Sequence, residues 1–255
     1  MAKLSDLTRV VAAATGEAHP GLVVLARALR QSDLVATGGR GKNAAQMSHL
    51  DASNFLLGIA SPGDNTTAHR TVAAVGALRL WSFAFAHLRD GTQAATFLDG
   101  SEAVAGLKGG QSLSTSLAQL LQSYKQDGGF DDLIQSPGLF DTMPPFEVQR
   151  MMDRPGELFQ SYVHPVAVSV SIKKSMFAVE TNRAPAWSAS VEFMCSGGDL
   201  IRLIFTDDGE IYTPEPERAS SSKTITQTVQ PSVINAVVSC IRADEFSPDH
   251  DGLNS

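Results

Sequence analysis

Between Leu4 and Ile59 apolar residues return at helical spacing three times, with glycine at the breaks, which commits this stretch to short packed helices around a Gly-rich loop. Leu4, Leu7, Val10, Val11 and Ala14 share one helical face, Ser5 offers a start, and Gly16 suits a left-handed C-cap. A second helix is predicted from near Pro20, a residue tolerated in the first turn, to about Ser32. Its buried stripe is Leu22, Leu25 and Leu29. At about 100° per residue, Val23, Arg27 and Arg30 project on the opposite side, with Gln31 at the margin. Residues 34–36 read as a short strand, 38–43 as a turn and 44–48 as the returning strand. Ser48 with Asp51 then opens a helix through Phe55, Leu56 and Ile59 in the manner of a capping box.

Beyond a loop at residues 61–67, a helix is predicted over 67–88, with Val72, Val75, Leu78, Trp81 and Phe85 on its apolar face. Helical spacing returns from Leu113 to Tyr124, and the proline-rich stretch 127–165 allows at most a short helix near 146–152. The period then changes to two. Strands are predicted at 166–172, 177–181, 188–195 and 200–206. Lys173-Lys174, Ser196-Gly197-Gly198 and Asp207-Asp208-Gly209 have the composition of hairpin turns, so the sheet should be antiparallel. A strand at 224–229, a closing helix at 231–241 and a poorly ordered acidic tail at 244–255 complete the expectation.

With 255 residues, 43% of them hydrophobic, the chain can bury at least one full core. Its formal charge of -7 disfavours nucleic acid as a partner, but the charge is unevenly placed. Residues 1–60 hold six Lys or Arg against four acids, a surplus of two, which leaves -9 on the remainder. Cys195 and Cys240 stand 45 positions apart with no metal-ligand spacing around them, a pattern of two buried thiols in a reducing compartment. Residues 1–11 lack the uncharged apolar core of a secretory signal, and no apolar run reaches the roughly 20 residues of a membrane span. A cytoplasmic protein with no membrane partner is the expectation.

The order helix, turn, helix, strand, Gly-rich turn, strand resembles the winged helix-turn-helix of transcription regulators, and its layout is most similar to the MerR-type head. Residues 8–16, ending in Thr-Gly, are similar to the first helix of that head. The second helix, ending LRQSDLV, corresponds to residues 20–34, and the wing to 37–43. The LVATGGRGKNA style of the wing resembles DNA-binding proteins of phages and prophages. The resemblance spans about a quarter of the chain. Pro20-Gly21 departs from the usual opening of a recognition helix, and the MerR-type effector region has no counterpart, so ligand or metal sensing is not implied.

Residue chemistry supports the same module. A helix about 10–12 Å across fits the major groove, where arginine meets guanine O6 and N7 and a small apolar side chain meets a thymine methyl. Val23, Arg27, Arg30 and Gln31 suit that role, and Arg40, Lys42 and Asn43 suit a wing that approaches phosphates closely. Arg9 and His19 are candidates for backbone phosphates. A nucleotide-binding Gly-Lys loop is excluded by Ala36 and Asn43 at its two critical positions. Cys195 with His164, or Asp207 with Asp208, makes no catalytic constellation, so no enzyme, metal or cofactor is expected.

The expected fold class is α+β: an N-terminal winged helix-turn-helix (1–60), a helical connector (61–160), and an antiparallel sheet with a closing helix for oligomerisation or partner contact (161–243), followed by the tail. The expected function is sequence-specific double-stranded DNA binding by a transcriptional regulator of phage or prophage type. With so small a positive surplus the head should act as a homodimer addressing two half-sites. The alternatives are a small-terminase-like packaging or assembly component in a larger oligomer, and a protein-docking module that does not bind DNA.

Overall fold

A computed structural model describes residues 2–38, 45–87, 93–97, 107–126, 165–176, 186–195, 199–207 and 223–243, together with 146, 149, 150 and 153. The chain opens with α1 (Leu4–Thr15), α2 (His19–Gln31) and α3 (His49–Ile59). After α4 (Ala68–Gly76) come β1 (Arg79–His87), β2 (Gln93–Phe97) and α5 (Leu113–Gln126). Strands β3 (Pro165–Met176), β4 (Ala186–Cys195), β5 (Asp199–Thr206) and β6 (Lys223–Val229) lead to α6 (Pro231–Ala243). Residues 146, 149, 150 and 153 are helical, in line with the short helix expected there.

One six-stranded sheet runs in the order β2-β1-β5-β4-β3-β6, with every neighbouring pair antiparallel. Its register follows from alternation. Phe83, Leu203, Val191, Val170 and Val229 lie side by side across five strands, and all five are buried. A slip of one residue in any pair would turn that strand's apolar set outward. The opposite face carries Ser171, Lys173, Ser190, Glu192 and Arg202, with the Arg202 Nε donating to Glu192 Oε1 at 2.8 Å. The helices cover the apolar face: α4 packs on β4 and α6 on β3, and the buried residues from Leu4 to Ile241 form a continuous core.

The helix expected over 67–88 ends at Gly76, and Arg79–His87 is a strand. Trp81, Phe83 and Phe85 recur every second residue, and aromatic side chains suit a pleated surface. A bulge between Leu80 and Ser82 inserts Trp81, so Leu80 and Phe83 both reach the core despite a spacing of three. That spacing imitates a helical period. Lys173-Lys174 is likewise no turn, because β3 continues to Met176 with both lysines in register with Ser188 and Trp187. Asp207 follows β5, Asp208 and Gly209 lie outside the described residues, and the next described strand, β6, joins the far side of β3. The strand expected at 177–181, the turn Ser196-Gly197-Gly198 and the tail lie outside the described residues.

Helix α1 begins one residue before Ser5, with Lys3 as N-cap; the Lys3 N–H donates to the Asp6 carboxylate at 3.2 Å, so the acid and not the serine fixes the start. Gly16 closes it in the left-handed conformation, φ 71°, with its N–H on the Ala12 carbonyl. In α2, Leu22, Leu25 and Leu29 are buried as their spacing requires. Past the C-cap Ser32 the chain turns at Asp33, φ 55°, a short polar residue that tolerates this region better than most. Helix α3 is buried over most of its length, between α2, α4 and α5. Cys240 is half-buried against the core, less enclosed than its sequence context suggests, and Cys195 stands at the end of β4.

Candidate functional site

Three polar side chains of α3 shape the neighbourhood of the Gly-rich loop. Asp51 receives the Ser48 N–H at 2.8 Å on Oδ2, while Ser48 Oγ accepts the Asp51 N–H at 3.1 Å, which is the reciprocal cap expected from Ser-x-x-Asp. Its other oxygen does something the sequence does not announce: Oδ1 accepts the Ala36 N–H at 2.7 Å. One turn later Asn54 Nδ2 donates to the Leu34 carbonyl at 2.7 Å. The Asn54 Oδ1 accepts Ser114 Oγ from α5 at 2.8 Å, and Ser53 Oγ donates to the Ser114 carbonyl at 2.9 Å. Ser53 and Asn54 are buried, at 0% and 7% exposure. Leu34 and Ala36 are thus held by side chains of α3 rather than by a strand.

The paired strands expected at 34–36 and 44–48 are therefore replaced. Residues 34–38 make no ladder; Gln46 bridges Lys3, and the Met47 N–H donates to the Ala2 carbonyl at 2.9 Å. The backbone groups of 34 and 36 that a hairpin partner would use are already taken by Asp51 and Asn54. The two ends of the loop nevertheless meet. A Cβ on Gly38 would overlap the backbone of Ala45, so residues 38 and 45 lie directly against each other. Arg40, Lys42 and Asn43 fall within that loop, outside the described residues.

Beside this root, α1 and α2 enclose an open groove of about 420 Å³. Leu4 and Ala26, both buried, line its apolar floor. Among the described residues Lys3, Arg9, Arg27 and Arg30 supply four cations to the lining, and no carboxylate contributes to it. Asp6 lies 3.6 Å from Arg9 in an exposed pair worth little in water. Arg30 is half-buried, and its Nε is enclosed without an acceptor among the described residues. His19 is anchored across the groove to Thr8. Thr8 Oγ1 donates its one hydrogen to the Ser5 carbonyl at 2.9 Å, so towards His19 Nε2, 3.3 Å away, it can only accept.

Of the nine residues singled out from the sequence, five line this one groove: Arg9, His19, Val23, Arg27 and Arg30. Val23 is 47% exposed, which for a valine in mid-helix leaves it available for contact. Gln31 is exposed at the end of α2 and lies outside the groove lining. Lys3 and Thr8 were not among the nine. The position of Lys3 depends on its pairing with Gln46, a contact between residues 43 positions apart that no local pattern encodes. No protein-family model, curated protein or solved structure matches this chain. Its chemistry is therefore read from the groove itself. Among the described residues no His, Cys, Asp and Glu cluster of metal-binding geometry occurs, and no helix is long and apolar enough to cross a membrane.

Proposed function

We propose that this chain is a sequence-specific double-stranded DNA-binding protein of the winged helix-turn-helix kind, acting as a dimeric transcriptional regulator of phage or prophage type. One observation carries the reading: in a chain of net charge -7, four cations surround a groove that, among the described residues, no carboxylate lines. Surface charge scattered without function would mix the signs. Helix α2 presents Val23, Arg27 and Arg30 to bases in the major groove, while Lys3 and Arg9 on the α1 side take the flanking phosphates. Gln46, just past the Gly-rich segment, bridges Lys3 of this groove, and the segment's own sequence adds Arg40 and Lys42 to the cations of the head.

Four phosphate contacts per head give a log-log salt slope on the order of -3 to -4, and two heads about twice that. The test is a titration of the full chain against mixed genomic fragments at low and moderate salt. It is repeated with Arg27, Arg30, Arg40 and Lys42 all changed to Ala. Salt-sensitive binding that the fourfold variant loses supports the reading. Binding unaltered by that variant would sink it and leave a protein-docking role for the same surface.

A further inference from the structure

Strand β6 ends the sheet, and among the described residues nothing pairs with it on the side away from β3. Exposed edges are usually blunted by proline, a bulge or inward charge, because their open N–H and C=O groups recruit other strands. β6 has none of these. Its register with β3 is regular over seven positions, it contains no proline, and its one charge is Lys223 at the first position. Four of the five residues from Thr224 to Thr228 are β-branched. The strand is also held in place: Val229 is buried, Gln227 Nε2 donates to the Ile59 carbonyl at 3.4 Å, and α6 starts two residues later.

We propose that β6 is the contact through which two copies of this chain associate, strand to strand and antiparallel about a two-fold axis at Thr226, giving a continuous twelve-stranded sheet. The sequence of the strand is self-complementary in that register. Thr226 faces its own copy, Thr224 lies opposite Thr228, Ile225 opposite Gln227 and Lys223 opposite Val229. No like charges meet, and threonine pairs across antiparallel strands are stabilising. The sheet already uses that chemistry, since Ser171 and Thr228 hydroxyls of neighbouring strands lie 2.8 Å apart. Thr226 and Thr228 are exposed, and Ile225 is 36% exposed. A second copy supplies the matching edge by symmetry, which an unrelated partner does not. Paired seven-residue strands bury far less than the roughly 1,600 Å² of a standard stable interface, so association in the micromolar range is expected. The proposal supplies the dimer that the DNA-binding reading requires, but it is measured without DNA.

The experiment has two arms on the full chain. Opposed Cα atoms in an antiparallel pair are about 4.5–5.5 Å apart, inside the range a disulfide spans. Thr226→Cys under mild oxidation should therefore yield a covalent dimer on a non-reducing gel. Wild type, and Ser190→Cys on the same sheet face but away from the edge, should not. In sedimentation equilibrium from about 1 to 100 µM, Thr226→Lys and Thr226→Glu should each be monomeric where wild type dimerises, and their equimolar mixture should recover the dimer. A monomeric wild type across that range, a dimer indifferent to both charges, or cross-linking no better than Ser190→Cys overturns the proposal. If circular dichroism shows a charge variant unfolded, the cysteine arm decides. Failure here leaves the DNA titration standing, and a dimer that ignores DNA removes only the other reading.

Discussion

Replacing Asn54 with Ala should be among the costliest single polar-to-alanine changes in this protein. The amide is buried and joins three elements: Nδ2 donates to the Leu34 carbonyl at 2.7 Å, and Oδ1 accepts from Ser114 Oγ at 2.8 Å. Two hydrogen bonds vanish at a net cost of about 1 kcal/mol each, and a buried carbonyl and hydroxyl are left to find other partners at about 1–3 kcal/mol if they fail. Ser114 can rotate; the Leu34 carbonyl is fixed by the chain. A loss of about 2–4 kcal/mol is expected, equivalent to a fall in Tm of roughly 5–15 °C for a chain of this size. Urea unfolding followed by circular dichroism measures it. Asn54→Asp sharpens the test, because it keeps the acceptor for Ser114 but sets a carboxylate oxygen against the Leu34 carbonyl oxygen. It should cost at least as much as Ala. A double-mutant cycle with Ser114→Ala should give a coupling of about 1 kcal/mol. If Asn54→Ala costs less than about 0.5 kcal/mol, the bridge from α5 to the loop root is not a determinant of the fold.

Gly38→Ala should destabilise by about 1–3 kcal/mol, since the added Cβ overlaps backbone at Ala45 and backbone cannot swing aside; thermal melts measure this, and an unchanged Tm would mean the loop base is open. At Asp33, φ 55°, Val should cost about 1–2 kcal/mol while Gly should be neutral or stabilising, and the order of the two midpoints in urea is the check. Phe193→Ala removes a side chain with 0% exposure from the middle of the sheet and should cost about 3–5 kcal/mol by the same measurement. By contrast Arg202→Ala breaks a pair whose side chains are 43% and 24% exposed, and a change within about 1 kcal/mol is expected.

The elements readable in advance were those whose periodicity is set by one buried face. Leu22, Leu25 and Leu29 fixed α2, Leu113 to Leu121 fixed α5, and the alternation around Val170, Val191 and Leu203 fixed the centre of the sheet. Beta1 eluded that reading because one inserted residue, Trp81, breaks its period and spaces Leu78, Trp81 and Phe85 like a helix. The fastening of the residues that flank the Gly-rich segment was not legible. Asp51 could be read as a cap from Ser48, whereas its second oxygen serves a residue fifteen positions away and the Asn54 amide serves residues twenty and sixty positions away. The groove was half legible: helical geometry grouped Val23, Arg27 and Arg30, and only the packing of α1 against α2 added Lys3 and the Thr8 contact to His19.

The contact between α1 and α6 bears on how the protein is made. The first helix completes its packing against a segment more than two hundred residues later, so on a ribosome α1 emerges long before its partner exists. Its apolar face, with Leu4, Leu7 and Val11, must wait in a partly formed state until synthesis reaches Pro231–Ala243. Contacts of such long separation slow folding and lengthen exposure to aggregation. A nascent chain arrested before residue 231 should therefore be held by chaperones or cleaved in its first helices, and release past residue 243 should bring protection there in a single step.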